Sequence, residues 1–157
     1  MVNVLFVCLG NICRSPAAEA VFRGLVEREG LAGQIACDSA GTGSWHIGKA
    51  PDARMRAAAK RRGYDLDSLR GRQVTAGDFE RFDYVLAMDG ENLANLTVIC
   101  PPGREGRLGR LLDFAPGAGR RDVPDPYYGG AEGFERVLDL VEAGARGLLA
   151  DIRARHL

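Results

Sequence analysis

Val4-Leu5-Phe6-Val7-Cys8-Leu9-Gly10-Asn11-Ile12-Cys13-Arg14-Ser15-Pro16-Ala17-Ala18-Glu19 decides how this chain folds. Val2 and the unbroken apolar run from Val4 to Val7 have the pattern of a central parallel strand covered on both faces. Gly10 and Asn11 mark a tight turn, because both residue types tolerate left-handed backbone angles. Ser15-Pro16 predicts a helix start, with Ser15 as the cap and Pro16 in the first turn. Ala17, Ala18, Ala20, Val21, Leu25 and Val26 carry that helix toward Gly30, with Glu19 in its first turn. Strand, tight loop and helix together make the opening half of a βαβ unit.

The same alternation continues outward. Strands are expected at 34–39 and 84–88, and a fourth somewhere within 98–112. A helix is expected at 52–62, ended by Gly63, and a short one at 91–96. Thr75-x-x-Asp78 has the form of a capping box before another short helix. Prolines and glycines make 101–124 loop-dominated, and the apolar spacing from Phe134 to Ile152 predicts a final helix. The expected fold is α/β, one open parallel sheet with helices on both faces.

With 157 residues, 1–157 reads as a single domain able to bury its own core. Lys plus Arg equals 21 and Asp plus Glu equals 21, for a formal net charge of zero. Such a chain has no global field to draw it to nucleic acid or an acidic membrane surface, so any anion must be held locally. No apolar run approaches the ~20 residues of a membrane span, and the start lacks the form of an export signal. The expected compartment is the cytoplasm. Two histidines, His46 and His156, exclude a His-rich metal site, and no metal or cofactor is expected. The four cysteines (Cys8, Cys13, Cys37 and Cys100) lack zinc-knuckle spacing, so each serves either packing or chemistry. Cys37 and Cys100 fall at or near strands and read as core. His46 reads as a solvated loop residue.

In open α/β sheets ligands bind where strands end and helices begin. Here that junction is Cys8-Leu9-Gly10-Asn11-Ile12-Cys13-Arg14-Ser15. Backbone N–H groups and a helix amino end favour an anion there. Arg14 presents a planar fork that matches two phosphate oxygens. Cys8 sits at the base of this cup, where the donors that hold phosphate also favour sulfur as thiolate. Cleaving an aryl phosphate ester also needs a proton for the leaving oxygen. Asp125, between Pro124 and Pro126, is the candidate, with Tyr127 and Tyr128 as an aromatic wall. Pro-Asp-Pro followed by Gly129-Gly130 also fits an ordinary surface turn.

The 4–19 stretch together with Asp125-Pro126-Tyr127-Tyr128-Gly129 resembles the low-molecular-weight protein tyrosine phosphatases. The similarity extends through Asp38-Ser39-Ala40-Gly41-Thr42, Trp45-His46-Ile47-Gly48, Arg72-Gln73, Asp78-Phe79 and Met88-Asp89. The resemblance implies a four-stranded parallel sheet and a two-step reaction without a metal. Cys8 would attack phosphorus to form a phosphocysteine. Arg14 and the loop amides of Leu9, Gly10, Asn11, Ile12 and Cys13 would hold the phosphate oxygens. Asp125 would protonate the leaving tyrosine and then activate water. The resemblance further implies that Ser15 stabilises the thiolate, and that Asn11 pins the loop with Ser39 as its partner. Trp45 and Tyr127 would line the pocket mouth. Cys13 would bond to Cys8 under oxidant, with plain packing as its alternative role. Implied partners are phosphotyrosine-containing proteins, a bacterial-type tyrosine kinase among them, with inorganic phosphate and similar oxyanions as competitors. The chain would act as a monomer or weak dimer. Family members often carry a histidine before the Arg-Gln pair that braces the asparagine; here Ser68 is the candidate replacement. Arsenate reductase and phosphoarginine phosphatase share this fold, and a non-catalytic phosphate-binding module is the third alternative. An apolar Ile12 favours an aryl ring over a guanidinium.

Overall fold

The computed structural model describes residues 1–127 and 129–157. Four strands, β1 (Val2–Cys8), β2 (Ile35–Gly41), β3 (Tyr84–Ala87) and β4 (Leu108–Arg110), form one sheet in the order β2-β1-β3-β4. Every neighbouring pair is parallel. Five α-helices connect and cover the strands: α1 (Arg14–Arg28), α2 (Ala53–Arg61), α3 (Asp78–Arg81), α4 (Gly90–Ile99) and α5 (Ala131–His156).

β1 is central because it is apolar on both faces. Val4, Phe6 and Cys8 belong to the cluster built with α1 and α5, whereas Leu5 and Val7 belong to a second cluster with Phe79, Val85 and Leu96. Alternation with a period of two thus divides one strand between two cores. Phe6 and Phe22 meet edge to face at 5.7 Å, which seats α1 against β1. In the same cluster, Phe134, Val137, Leu138, Val141, Leu148 and Ile152 bury one stripe of α5, as their spacing predicts.

Three expectations are corrected. Ser15 does not cap α1: the helix begins at Arg14 with Cys13 at the cap position and no side-chain cap bond. The Ser15 hydroxyl is turned instead toward Cys8. Thr75 and Asp78 form only half of a capping box. The Asp78 carboxylate accepts from the Thr75 amide at 2.8 Å, but the helix starts later than a box would place it, after Gly77. Cys37 and Cys100 are half-buried rather than core, because one lies on the edge strand β2 and the other at the end of α4.

Candidate active site

Cys8 is the last residue of β1, and α1 begins six residues later. The intervening loop curls over the strand end and lines a cavity of about 420 Å³. Cys8, Leu9, Gly10, Ile12, Cys13 and Arg14 face this space, and Trp45, His46, Asp125 and Tyr127 form its rim. Asn11 alone among the described non-glycine residues has a positive φ, 57°. Gly10 does not share that geometry, contrary to expectation. Its missing side chain matters for another reason, since a Cβ there would lie 3.0 Å from His46 Cδ2. Gly41, at the end of β2, is needed more strictly. A Cβ on it would stand 2.8 Å from the Leu9 carbonyl oxygen.

Behind the loop, Asn11 and Ser15 are buried in a hydrogen-bond chain whose polarity can be counted out. The Asn11 amide nitrogen has two protons. It donates one to Ser15 Oγ at 2.8 Å and one to Ser39 Oγ at 3.0 Å. The Ser39 proton goes to Glu19 Oε1 at 2.7 Å, a carboxylate that only accepts. Ser15 therefore keeps its own proton, and Cys8 Sγ lies 3.0 Å away. The competing acceptor, the Ala40 carbonyl, is farther at 3.4 Å. The Asn11 amide N–H adds a second donor to Sγ at 3.3 Å. Glu19 is held in turn by Arg23 at 2.6 Å.

The Asn11 side-chain oxygen accepts from the Arg72 main-chain N–H at 3.0 Å. This amide, not Ser68, stands in for a histidine brace; Ser68 is exposed. The Arg72 side chain explains why its backbone sits still. Its guanidinium grips buried Asp78 with two bonds of 3.0 and 3.1 Å and reaches Asp38 at 3.1 Å. Burial alone would raise the Asp78 carboxyl, but bonds from Arg72, the Thr75 amide and Arg81 outweigh it and hold that carboxyl below its ordinary range.

Arg14 is buried, yet its guanidinium reaches the cavity. Nη1 donates to Asp89 Oδ2 at 2.6 Å and to the Val123 carbonyl at 3.0 Å. Nη2 lies 3.8 Å from Asp125 Oδ2. Burial disfavours the charge, but the Cys8 sulfur, Asp89 and Asp125 outweigh burial and keep the group charged. Asp89 follows β3 and also caps α4, because its Oδ1 accepts from the Asn92 amide at 2.7 Å.

Asp125 is half exposed at the rim and accepts from the Tyr127 amide at 3.0 Å, so the Pro-Asp-Pro turn and the cavity wall are one feature. Arg54 holds this segment by donating to the Tyr127 carbonyl at 2.9 Å and stacking over its ring at 5.5 Å. Trp45 and Tyr127 stand at the mouth, while the Tyr128 expectation lies outside the described residues. Cys13 faces the cavity as a thiol: burial first, then the negative charges of Asp52, Cys8 and Asp125, push it far up. His46 lines the rim, which its loop setting had not suggested. Glu19, Asp89, Gly41 and Arg54 were likewise not assigned roles from sequence. A carboxylate just past a strand's carboxyl end was the available signal for Asp89.

A cysteine sulfur met by the Asn11 amide and the Ser15 hydroxyl, a buried arginine on the same cavity and a carboxylate at the rim define a phosphatase of the Cys-x5-Arg type. The family model described as low molecular weight phosphotyrosine protein phosphatase matches residues 3–156. A low molecular weight protein-tyrosine-phosphatase of Streptomyces coelicolor is 50% identical over 154 residues, covering 96% of this chain and 93% of that one. The Bacillus subtilis phosphatase YfkJ is 46% identical over 153 residues, covering 98% and 97%. A crystal structure of an Entamoeba histolytica protein tyrosine phosphatase superposes with a TM-score of 0.96, at 44% identity and full coverage of both chains. The chain thus belongs to the low molecular weight phosphotyrosine protein phosphatase family, and it is a phosphatase.

Proposed function

We propose that residues 1–157 act as one phosphatase domain that hydrolyses phosphotyrosine in proteins through a phosphocysteine on Cys8. The observation that supports this most is the polarity of the Glu19–Ser39–Asn11–Ser15 chain, which leaves Ser15 a proton to give, with the Cys8 sulfur at 3.0 Å nearer than the Ala40 carbonyl at 3.4 Å. Cys8 attacks phosphorus as thiolate while the ester oxygen leaves. Arg14 and the loop amides take the charge of the equatorial oxygens as it spreads. With Nη1 held by Asp89 and Val123, Nε and Nη2 are the pair available to two of those oxygens.

Asp125 donates a proton to the departing phenolic oxygen. As carboxylate, it then takes a proton from the water that attacks phosphorus and releases Cys8 with inorganic phosphate. Ile12, Trp45 and Tyr127 give the cavity an apolar wall for an aryl ring, and Ile12 has no hydroxyl to meet a guanidinium. Phosphotyrosine is therefore favoured over phosphoarginine. Cys13 is available to bond Cys8 under oxidant, because both thiols face one cavity. The partners are cytoplasmic phosphotyrosine proteins, a bacterial-type tyrosine kinase among them. Among the described residues, no helix is long and apolar enough to cross a membrane.

Cys8→Ser tests the reading. Turnover of p-nitrophenyl phosphate should fall by more than about 10⁴-fold, as for loss of other nucleophiles. Phosphate binding, followed by calorimetry, should survive. Residual turnover within tenfold of the parent would remove Cys8 as nucleophile.

A further inference from the structure

A second cavity of about 370 Å³ opens on the far side of Trp45. Leu9 and Trp45 line both this groove and the catalytic cavity, so the indole is a ridge between two continuous hollows. The opposite wall is the last turn of α4, where Val98 is 83% exposed and Ile99 37%. Among the described residues, no charged side chain lines the groove. At its floor, Thr42 Oγ1 is buried with no hydrogen-bond partner among the described residues. Thr42 is joined to the catalytic strand by its own amide, which donates to the Cys8 carbonyl at 2.9 Å. Gly43 keeps the ridge in place, since any side chain there would occupy the space of the Trp45 ring.

We propose that this groove takes an apolar side chain flanking the phosphotyrosine of a protein substrate, so that Val98 and Ile99 help set specificity. The inference rests on the phosphotyrosine reading above. Successive peptide residues are spaced ~3.3 Å, so a residue one or two positions from the phosphotyrosine reaches across a single aromatic side chain. The occupant is apolar because Leu9, Trp45, Val74, Val98 and Ile99 make up most of the wall, beside the neutral Thr42, Gln73 and Asn95, and an ionised side chain would lose water there without gaining an ionic partner. It belongs to a peptide rather than to a free aryl phosphate, because the groove lies outside the cavity that holds the phosphate and ring.

The test uses the full chain and two phosphotyrosine peptide sets, with Leu or Gly at each of the two positions on either side. For at least one position, kcat/KM should favour Leu by about tenfold, the usual value of one apolar contact in a specificity pocket. Val98→Asn should reduce that advantage to below about threefold while p-nitrophenyl phosphate turnover stays within about twofold. Equal turnover of Leu and Gly peptides by the parent would overturn the proposal. So would a Leu preference that survives in Val98→Asn. Should sedimentation show a dimer that Val98→Asn disperses without changing peptide preference, the groove would be assigned to a second copy of the chain, which also overturns it. Absence of turnover on every aryl phosphate would strike the phosphotyrosine reading itself and is recognised separately.

Discussion

The cup and the acid segment meet at one cavity but are held in opposite ways. Around Cys8, the supporting groups are buried and tied to one another, Asn11 to Ser39 and Ser39 to Glu19, while buried Arg14 is held by the half-buried Asp89. Around Asp125, the ties are exposed. The carboxylate bonds to its own turn, and the exposed Arg54 guanidinium holds Tyr127 from outside. The difference fits the demands on each part. Donors that meet spreading charge act best when they need no reorganisation, and a low-dielectric wall strengthens them. A proton donor must also give way to water and product, so a solvated turn suits it.

The comparison is broken most severely at Arg14. Arg14→Lys should cut kcat on p-nitrophenyl phosphate by about 10²–10³-fold, because a point charge replaces a fork that Asp89 and Val123 hold by one arm. Near-normal activity would contradict the clamp. Asp125→Ala should slow phosphotyrosine by about 10²-fold and p-nitrophenyl phosphate much less, since the better leaving group needs less protonation. Steady-state kinetics over a series of substituted phenyl phosphates reads the slope. Equal slowing across the series would take the acid role from Asp125.

Asp78 sharpens the comparison from the side of stability. Its folded carboxyl is depressed, so its contribution is full above the ordinary carboxylate range and is lost as pH falls through the folded value. Asp78→Asn should cost about 2–4 kcal/mol in urea unfolding at pH 7, discounted for the partial exposure of Arg72 and Arg81. The gap from the parent should close on acidification; a gap independent of pH would reject the account. The smallest effect is at Glu19. Glu19→Ala should reduce kcat/KM by about 3–10-fold, acting through the Ser15 hydroxyl. In a Ser15→Ala background the same change should add almost nothing, because residues of one network are not additive. Full additivity would separate Glu19 from the chain that ends at the sulfur.

Much of this architecture was legible in the sequence. The apolar run of β1 and the helical spacing of α5 announce themselves because each repeats one period over many residues. β4 is three residues long, too short for any period, and only a broad window contained it. Ser15 was read both as a helix cap and, through the resemblance, as the sulfur's partner; only the folded loop selects the second, because one hydroxyl suits either role. The brace on Asn11 was invisible for a different reason. A main-chain amide has no sequence signature, so a side chain, Ser68, was sought in its place. Asp89 reaches Arg14 across 75 residues, a pairing that no local pattern encodes. The cup residues Cys8, Arg14 and Ser15 were readable because their spacing and the strand–helix junction agree.

One carboxylate in this molecule is divided between two duties. Asp89 gives one oxygen to the guanidinium and the other to the Asn92 amide in the first turn of α4, the helix that ends at Val98 and Ile99. Rigidity at the reacting centre and the winding of that helix are thereby spliced at a single atom pair. Loss of the whole side chain at position 89 would surface as chemistry and as fraying together, whereas Asp89→Asn would keep an acceptor for the helix and remove only the charge beside the guanidinium.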